Sequence, residues 1–207
     1  MLSPITTIKF WPTDILSGCE YHYYDNNMTS KKEIRACIRQ RKKAFTAEEL
    51  LEKSRAVMNK VCTHPKILAA HTVMMYASLP DEVNSIETLE WLRHVEKQVL
   101  LPIVVSDTEM RLKIYNGPAS LCEGSFHILE PTSDWYDESE PIDVAIVPGM
   151  AFDHNRYRLG RGKGYYDRFL GRIHTYKIGV CFDFQYLKQI PYDIHDIMMD
   201  EVIFDSK

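Results

Sequence analysis

The sequence contains no run approaching the roughly 20 apolar residues that a membrane-spanning helix requires, nor a basic, apolar-cored leader of the secretory kind. Neither a membrane span nor an export signal is expected. An excess of positive charge is also missing. With 25 Lys and Arg against 29 Asp and Glu, the formal charge is -4 at pH 7, which removes any global attraction for nucleic acid or an anionic membrane. An anionic ligand must therefore be held by a local cluster of cations. Cysteine is scarce and scattered: Cys19, Cys37, Cys62, Cys122 and Cys181 form no C-x-x-C pair and show no His-rich companion spacing, so neither a zinc site nor a disulfide framework is expected. Such a set suits a reducing cytoplasm. There is no nucleophile elbow and no catalytic cysteine signature, and neither a Walker loop nor a dinucleotide fingerprint is present.

At 207 residues, 45% of them hydrophobic and 26% charged, the chain is of the size and composition of one soluble globular domain. Residues 1–27 show neither helical nor strand period and read as an extension of unknown role, with a natural start at Met28 and a single domain over 28–207. Ser30 with Glu33, and Thr46 with Glu49, form S/T-x-x-E capping boxes, so helices are expected to begin near residues 31 and 47. The second is expected to stop at His64 and Pro65, and the pair to form a helical hairpin. The chain then alternates: strand Val73 to Ala77, helix Ser85 to about Glu96, strand Val99 to Val105. Further strands are expected at Arg111 to Tyr115, Val144 to Val147 and Lys177 to Phe182, with a helix after Gly164 and a polar loop from Pro131 to Pro141. The economical architecture is a three-layer α/β/α sandwich around a central, mostly parallel sheet. Trp91, Ile86, Leu89, Leu92 and Val95 read as helix packing.

The densest chemical signal runs from Pro148 to Leu170, PGMAFDHNRYRLGRGKGYYDRFL, which is expected to leave the strand Val144 to Val147 and enter a helix as strand, Gly-rich loop, helix. Gly160, Gly162 and Gly164 alternate with Arg161 and Lys163, so backbone amides can approach an anion while two cations close over it. Spacing alone leaves a phosphate cradle and a solvated flexible turn equally open. Lys31, Arg35 and Arg39 share one helical face, which by itself is as well read as a solvated basic stripe. Glu82 can serve a helix dipole, and Tyr165 and Tyr166 can be core aromatics or a stacking platform.

The wider pattern resembles the 5-formyltetrahydrofolate cyclo-ligase family, also called methenyltetrahydrofolate synthetases. PGMAFD at Pro148 to Asp153 and RLGRGKGYYDRFL at Arg158 to Leu170 are similar to its signature. SKKEIRACIRQRKKAFTAEE at Ser30 to Glu49, YASLPDE at Tyr76 to Glu82, LEP at Leu129 to Pro131 and HDIMMDEV at His195 to Val202 follow in the family's order. Three positions depart from it: Ile103 stands where Arg is common, and His127 and Arg156 stand where Gly is usual. The resemblance implies ATP-dependent cyclisation of 5-formyltetrahydrofolate by a cytoplasmic monomer. ATP is its co-substrate, Mg2+ its metal, and a mono- or polyglutamylated folate its second substrate. Carried over position by position, it assigns ATP contacts to Lys31, Lys32, Glu33, Ile34 and Arg35, and to Arg158, Leu159, Gly160, Arg161, Gly162, Lys163, Gly164, Tyr165 and Tyr166. Folate contacts fall on Arg35, Ala77, Glu82, Arg161 and Tyr165, and metal-associated carboxylates on Asp167 and Asp196. Arg161 and Lys163 are the expected catalytic cations. Two other readings stand beside it: a non-catalytic nucleotide or phosphate module, and an α/β kinase or phosphosugar enzyme reusing an anion loop.

Overall fold

The computed structural model describes residues 30–124 and 129–206; the expected leader and His127 lie outside them. Helix α1 (Lys31–Lys42) begins at Ser30, whose hydroxyl accepts from the Glu33 amide at 3.3 Å while the Glu33 carboxylate accepts from the Ser30 amide at 3.2 Å. Helix α2 (Ala47–Cys62) repeats the device with Thr46 and Glu49, at 3.2 and 2.8 Å. Each box satisfies amides that a first turn leaves unpaired, and such a cap stabilises by roughly 1 kcal/mol. Pro65 starts a further short helix, α3 (Pro65–Ala69), capped by His64. A proline suits that first turn, where its missing N–H leaves no bond unmade.

In chain order there follow β1 (Thr72–Met74), α4 (Ile86–His94), β2 (Gln98–Val104), β3 (Met110–Ile114), β4 (Leu121–Glu123), β5 (Leu129–Pro131), β6 (Val144–Pro148), β7 (Ala151–Asp153), β8 (Arg158–Leu159), α5 (Tyr165–Leu170), β9 (Tyr176–Cys181), β10 (Tyr186–Leu187) and β11 (Glu201–Phe204). The central sheet has the order β11-β9-β6-β1-β2-β3, parallel except for β3, which pairs antiparallel with β2 at one edge. Its inner strands β1, β2 and β6 are apolar on both sides, as a sheet covered on both faces demands. Val73, Met75, Val99, Leu101 and Ile146 enter the cluster beneath α2 and α4, while Met74, Leu100, Ala145 and Val147 enter the opposite one. That alternation is the two-residue period of the pleat.

Three expectations are corrected by this architecture. The helical hairpin is not a packed unit: Ile34 and Ile38 of α1 join Met150, Ala151, Leu159, Leu187 and Ile190, whereas Val57, Met58 and Val61 of α2 join the main sheet. Consecutive amphipathic helices were mistaken for partners, although their stripes serve different cores. The segment from Pro131 to Pro141 is more than a polar loop. Tyr136 within it is 5% exposed, donates its hydroxyl to the Pro141 carbonyl at 3.0 Å, and helps α5 close the second face of the sheet. That face is thus covered by one short helix and extended chain.

The third correction concerns the Gly-rich stretch, which does not leave β6 directly. A β7-β8 hairpin intervenes and pairs with β10 in a separate three-stranded sheet. The hairpin turns on Asp153, which is fully buried: Oδ1 accepts the Asn155 and Tyr157 amides at 3.0 and 2.9 Å, and Oδ2 accepts the Ile190 amide at 2.9 Å. Arg156 lies in this turn at φ 68°, with its amide donating to the Asp153 carbonyl at 2.8 Å. A left-handed φ explains why glycine suits the position. Arg156 adopts it regardless and turns its guanidinium outward to the Asp200 carbonyl at 3.0 Å.

Candidate active site

The turn from Gly160 to Gly164 follows β8 and enters α5. Gly162 has φ 111° and Gly164 φ 69°, backbone that side chains rarely tolerate. Among the described residues the amides of Arg161, Gly162, Lys163 and Gly164 make no hydrogen bond, so four donors are free for an anion. Arg35, projecting from α1, grips the turn through Nε to the Gly160 carbonyl at 2.8 Å, and a side chain at Gly162 would place its Cβ 3.5 Å from that guanidinium. Burial lowers the Arg35 pKa, with the like charge of Arg39 adding to it; a guanidinium remains protonated at any physiological pH.

The two expected catalytic cations differ in their surroundings. Lys163 is exposed and has no ion-pair partner among the described residues. Arg161 is clamped: its Nη2 reaches Asp81 Oδ1 and Glu82 Oε1 (3.0 Å), and its Nε also reaches Glu82 Oε1 at 3.1 Å. Burial opposes ionisation of both partners in the clamp, but opposite charge wins. Glu82 and Asp81 hold Arg161 above the ordinary value, while Lys42 and Arg161 hold the Asp81 carboxyl below it. Glu82 spends its other oxygen on the Leu79 amide at 3.1 Å. The turn carrying these carboxylates is pinned behind them, with the Tyr76 hydroxyl donating to the Val83 carbonyl at 2.7 Å and Ser85 Oγ to the Tyr76 carbonyl at 2.6 Å.

Between this turn and the Gly-rich loop lies a cavity of about 380 Å³, within the roughly 300–1,000 Å³ typical of small-molecule sites. Pro102, Val104, Met110, Pro148 and Met150 give it apolar walls; Ala77, Glu82, Arg158, Arg161, Lys163, Tyr165 and Tyr166 also line it. Burial raises the Tyr166 hydroxyl pKa well above its ordinary value, so it stays protonated.

Other expected residues lie around the cavity. Ile34 and Leu159 are each 1% exposed in the α1 core, which leaves only their backbone to face a ligand. Glu33 is engaged in the α1 cap, and Lys32 is exposed beside it. Lys31 sits at the far side of the loop, ion-paired to Asp193 at 2.8 Å and to Asp196. Burial works against its charge, but those hydrogen bonds raise its pKa.

The two carboxylates expected to hold metal are both paired to cations, Asp196 to Lys31 and Asp167 to the buried Arg158 at 2.9 Å. Among the described residues no group of three or more His, Cys, Asp or Glu gathers. Asp167 nonetheless keeps Oδ1 buried without a hydrogen-bond partner. One open carboxylate oxygen beside a phosphate loop fits Mg2+, which takes one or two carboxylates and fills its shell with phosphate and water.

Two residues were missed from the sequence. Asp81 was passed over for its neighbour Glu82, and Lys42 was given no role. Yet Lys42 is 7% exposed and donates its Nζ to the Asp81 carbonyl and to Asp81 Oδ2 at 3.3 Å. Its signal was available: Ile34, Ile38, Arg41 and Lys42 recur at helical spacing on one face, and two cations on an apolar face need partners.

Fold and site together define an α/β protein that sets a Gly-rich turn with unbonded amides against an apolar, aromatic-lined cavity. Residues 27–205 match the 5-formyltetrahydrofolate cyclo-ligase family, and the chain belongs to that family. It is 32% identical to the 5-formyltetrahydrofolate cyclo-ligase of Escherichia coli, covering 82% of this chain and 97% of the relative. The mouse cyclo-ligase is 30% identical over 86% of this chain and 95% of its own. The solved 5,10-methenyltetrahydrofolate synthetase of Aquifex aeolicus superposes with a TM-score of 0.75 at 32% identity, covering 86% of this chain and 90% of that one.

Proposed function

We propose that this chain catalyses ATP-dependent closure of 5-formyltetrahydrofolate to 5,10-methenyltetrahydrofolate, releasing ADP and phosphate. The observation that carries the reading is the meeting, in one cavity, of the unpaired Lys163 and free loop amides with the Tyr165, Tyr166 and Glu82 wall. The loop suits the γ-phosphoryl group, and the flat apolar interior suits a pterin whose polar edge meets Glu82.

Ring closure requires loss of the formyl oxygen, a poor leaving group. Attack of that oxygen on the γ-phosphorus breaks the bond to ADP and makes it a good one. N10 then attacks the formyl carbon and loses its proton, and phosphate departs with the former formyl oxygen. Substrate supplies both nucleophiles, which agrees with a sequence that has no nucleophile signature. The protein's task is alignment and charge stabilisation. Lys163 and the loop amides are free to receive developing negative charge, and Arg161 is already oriented toward the cavity by its carboxylates. Asp167, through its open Oδ1, and Asp196 are the carboxylates we assign to Mg2+, which when bound would neutralise phosphate oxygens. Lys31 and Arg35 are assigned to the nucleotide.

We assign the activity to a cytoplasmic monomer acting on ATP and on folate with one or several glutamates; among the described residues no helix is long and apolar enough to cross a membrane. The decisive experiment incubates the chain with ATP, Mg2+ and 5-formyltetrahydrofolate and follows methenyl-folate absorbance with folate-dependent ADP release. Both should appear together. ATP binding with neither signal would instead support a non-catalytic module.

A further inference from the structure

Helix α1 closes its buried face with Ile34, Ile38, Arg41 and Lys42. Packing alone would be served as well by leucine, because burying an ammonium costs free energy unless its donors are used. Arg41 gives Nη1 to the Phe184 carbonyl at 2.8 Å, on the segment between β9 and β10 and away from the cavity wall. Lys42 does something different. It crosses from the end of α1 to the turn that carries Asp81 and gives Nζ both to the Asp81 carbonyl and, at 3.3 Å, to the Asp81 carboxylate.

Asp81 is the outermost member of that turn. The rest of it has its own ties, through Tyr76 to Val83, Ser85 to Tyr76, and Leu79 to Glu82. Apart from Arg161, Lys42 alone among the described residues is seen to bond the Asp81 side chain. Arg161 in turn divides its guanidinium between Asp81 and Glu82. The line Lys42 to Asp81 to Arg161 therefore joins the buried end of α1 to the mouth of the cavity. Without Lys42, Asp81 would be free to turn toward water, since its side chain is 41% exposed, and Arg161 would be left with Glu82 alone.

We infer that Lys42 is a positioning residue for the cyclisation: by fixing Asp81 it fixes the direction of the Arg161 guanidinium over the Gly-rich loop. The inference rests on the proposed cyclo-ligase reading for its kinetic consequence, but not for its structural one. A group held out of line by an ångström loses rate more than binding, so Lys42→Met should lower kcat by about 10- to 100-fold with little change in the KM for ATP. Lys42→Arg, which keeps charge and donors, should restore most of it.

The test compares wild type, Lys42→Met, Lys42→Arg, Arg161→Ala and the double variant Lys42→Met with Arg161→Ala, each with a melting curve. In the Arg161→Ala background the Lys42→Met change should cause no further loss of kcat, which a general loosening of the fold would not reproduce. Amide exchange in Lys42→Met should rise at Leu79 and Glu82, whose amides are bonded within the turn that carries Asp81. If that variant does not fold, Asp81→Asn, which removes the shared carboxylate from the surface side, should give the same kinetic pattern. Wild-type kcat in Lys42→Met, or an undiminished further loss in the Arg161→Ala background, overturns the inference. So does exchange that rises at residue 42 alone. A wild-type chain without turnover would overturn the cyclo-ligase reading instead, and the exchange result would still decide the role of Lys42.

Discussion

Two cations, Arg161 within the Gly-rich loop and Lys31 on α1 one turn before the Arg35 that grips it, are each bridged by a pair of carboxylates. Arg161 pairs with Asp81 and Glu82, and Lys31 with Asp193 and Asp196. In both pairs one acid is sheltered, Glu82 at 13% and Asp196 at 14% side-chain exposure, and the other is more open, Asp81 at 41% and Asp193 at 60%. The difference lies behind them. Asp81 stands on a turn pinned by buried hydroxyls and tied to a buried lysine. Asp193 stands on a turn held by its own short-range bonds, its amide to Asp196 at 2.8 Å and its Oδ1 to the His195 amide at 3.1 Å, next to Ile194 at 93% exposure. Similar ion pairs thus serve unlike ends: the Arg161 side is preorganised, and the Lys31 side holds its cation by contacts that a polyanion can replace.

The largest expected effect comes from removing the cation that neither side holds. Lys163→Ala should lower kcat by about 10²- to 10³-fold while leaving the melting curve unchanged, because Lys163 is exposed and unpaired among the described residues. Activity near wild type would mean that Arg161 or Lys31 swings in to replace it, and the comparison would fail. Gly162→Ala acts on both sides at once. At φ 111° a Cβ is strained, a cost on the order of 1–3 kcal/mol, so both kcat and thermal stability should fall, the first more than the second. Equal stability with full activity would show that the loop carries no fixed geometry.

The two sides separate in the third test. Asp193→Asn should release Lys31 for phosphate and lower the KM for ATP by about 2- to 5-fold, the worth of an exposed ion pair, with kcat nearly unchanged. The opposite sign, a weaker KM, would mean that Asp193 orients Lys31 rather than competing with ATP. Alkaline pH should separate them too. Burial moves the Lys42 pKa below its ordinary 10.5, against the pull of Asp81 and Glu82 and with the push of Arg161, whereas for Lys31 burial is outweighed by the hydrogen bonds it donates to Asp193 and Asp196, which move its pKa above 10.5. The charged form of Lys42 is thus disfavoured by folding, and its tether to Asp81 is lost as pH rises through a value under 10.5. The Lys31 contribution is complete below 10.5 and is lost only above it. Rate against pH should therefore show an alkaline limb under 10.5 that moves upward in Lys42→Arg; a limb that stays in place assigns it to another group.

Much of this was legible beforehand, and the failures have physical causes. Capping boxes are local chemistry, so Ser30 with Glu33 and Thr46 with Glu49 located two helices correctly. Five of the six strands of the central sheet were equally plain, whereas β11, four residues that begin on Glu201, carries too short an apolar pattern and was not expected. What failed was pairing: periodicity says that α1 and α2 each have an apolar face, but not which core receives it. The β7-β8 hairpin was hidden because its turn is built by one buried carboxylate, Asp153, within the polar run DHNRY. The resemblance to the cyclo-ligase family supplied Glu82, Arg161 and Lys163, whereas Lys42 needed its partner Asp81, 39 positions away along the chain, to be distinguished from its solvated neighbours.

The smallest expected effect is at Arg156, and it bears on how far the Lys31 side extends. Its turn holds the carboxyl-terminal segment by accepting the Met199 amide at 2.9 Å and donating Nη1 to the Asp200 carbonyl at 3.0 Å. Replacement by glycine relieves the left-handed strain at φ 68°. It also frees the unfolded chain and deletes the exposed guanidinium contact, each of these changes being worth roughly 0.5–1 kcal/mol. The terms oppose one another, so Arg156→Gly should change stability by no more than about 0.5 kcal/mol, with kcat unchanged, because the substituted turn already has the backbone a glycine would adopt. A denaturant melt and one initial-rate series check both. A large fall in kcat would show that the Asp200 contact transmits to Asp196 and Lys31, and would move the boundary of the yielding side from residues 193–196 back to this hairpin.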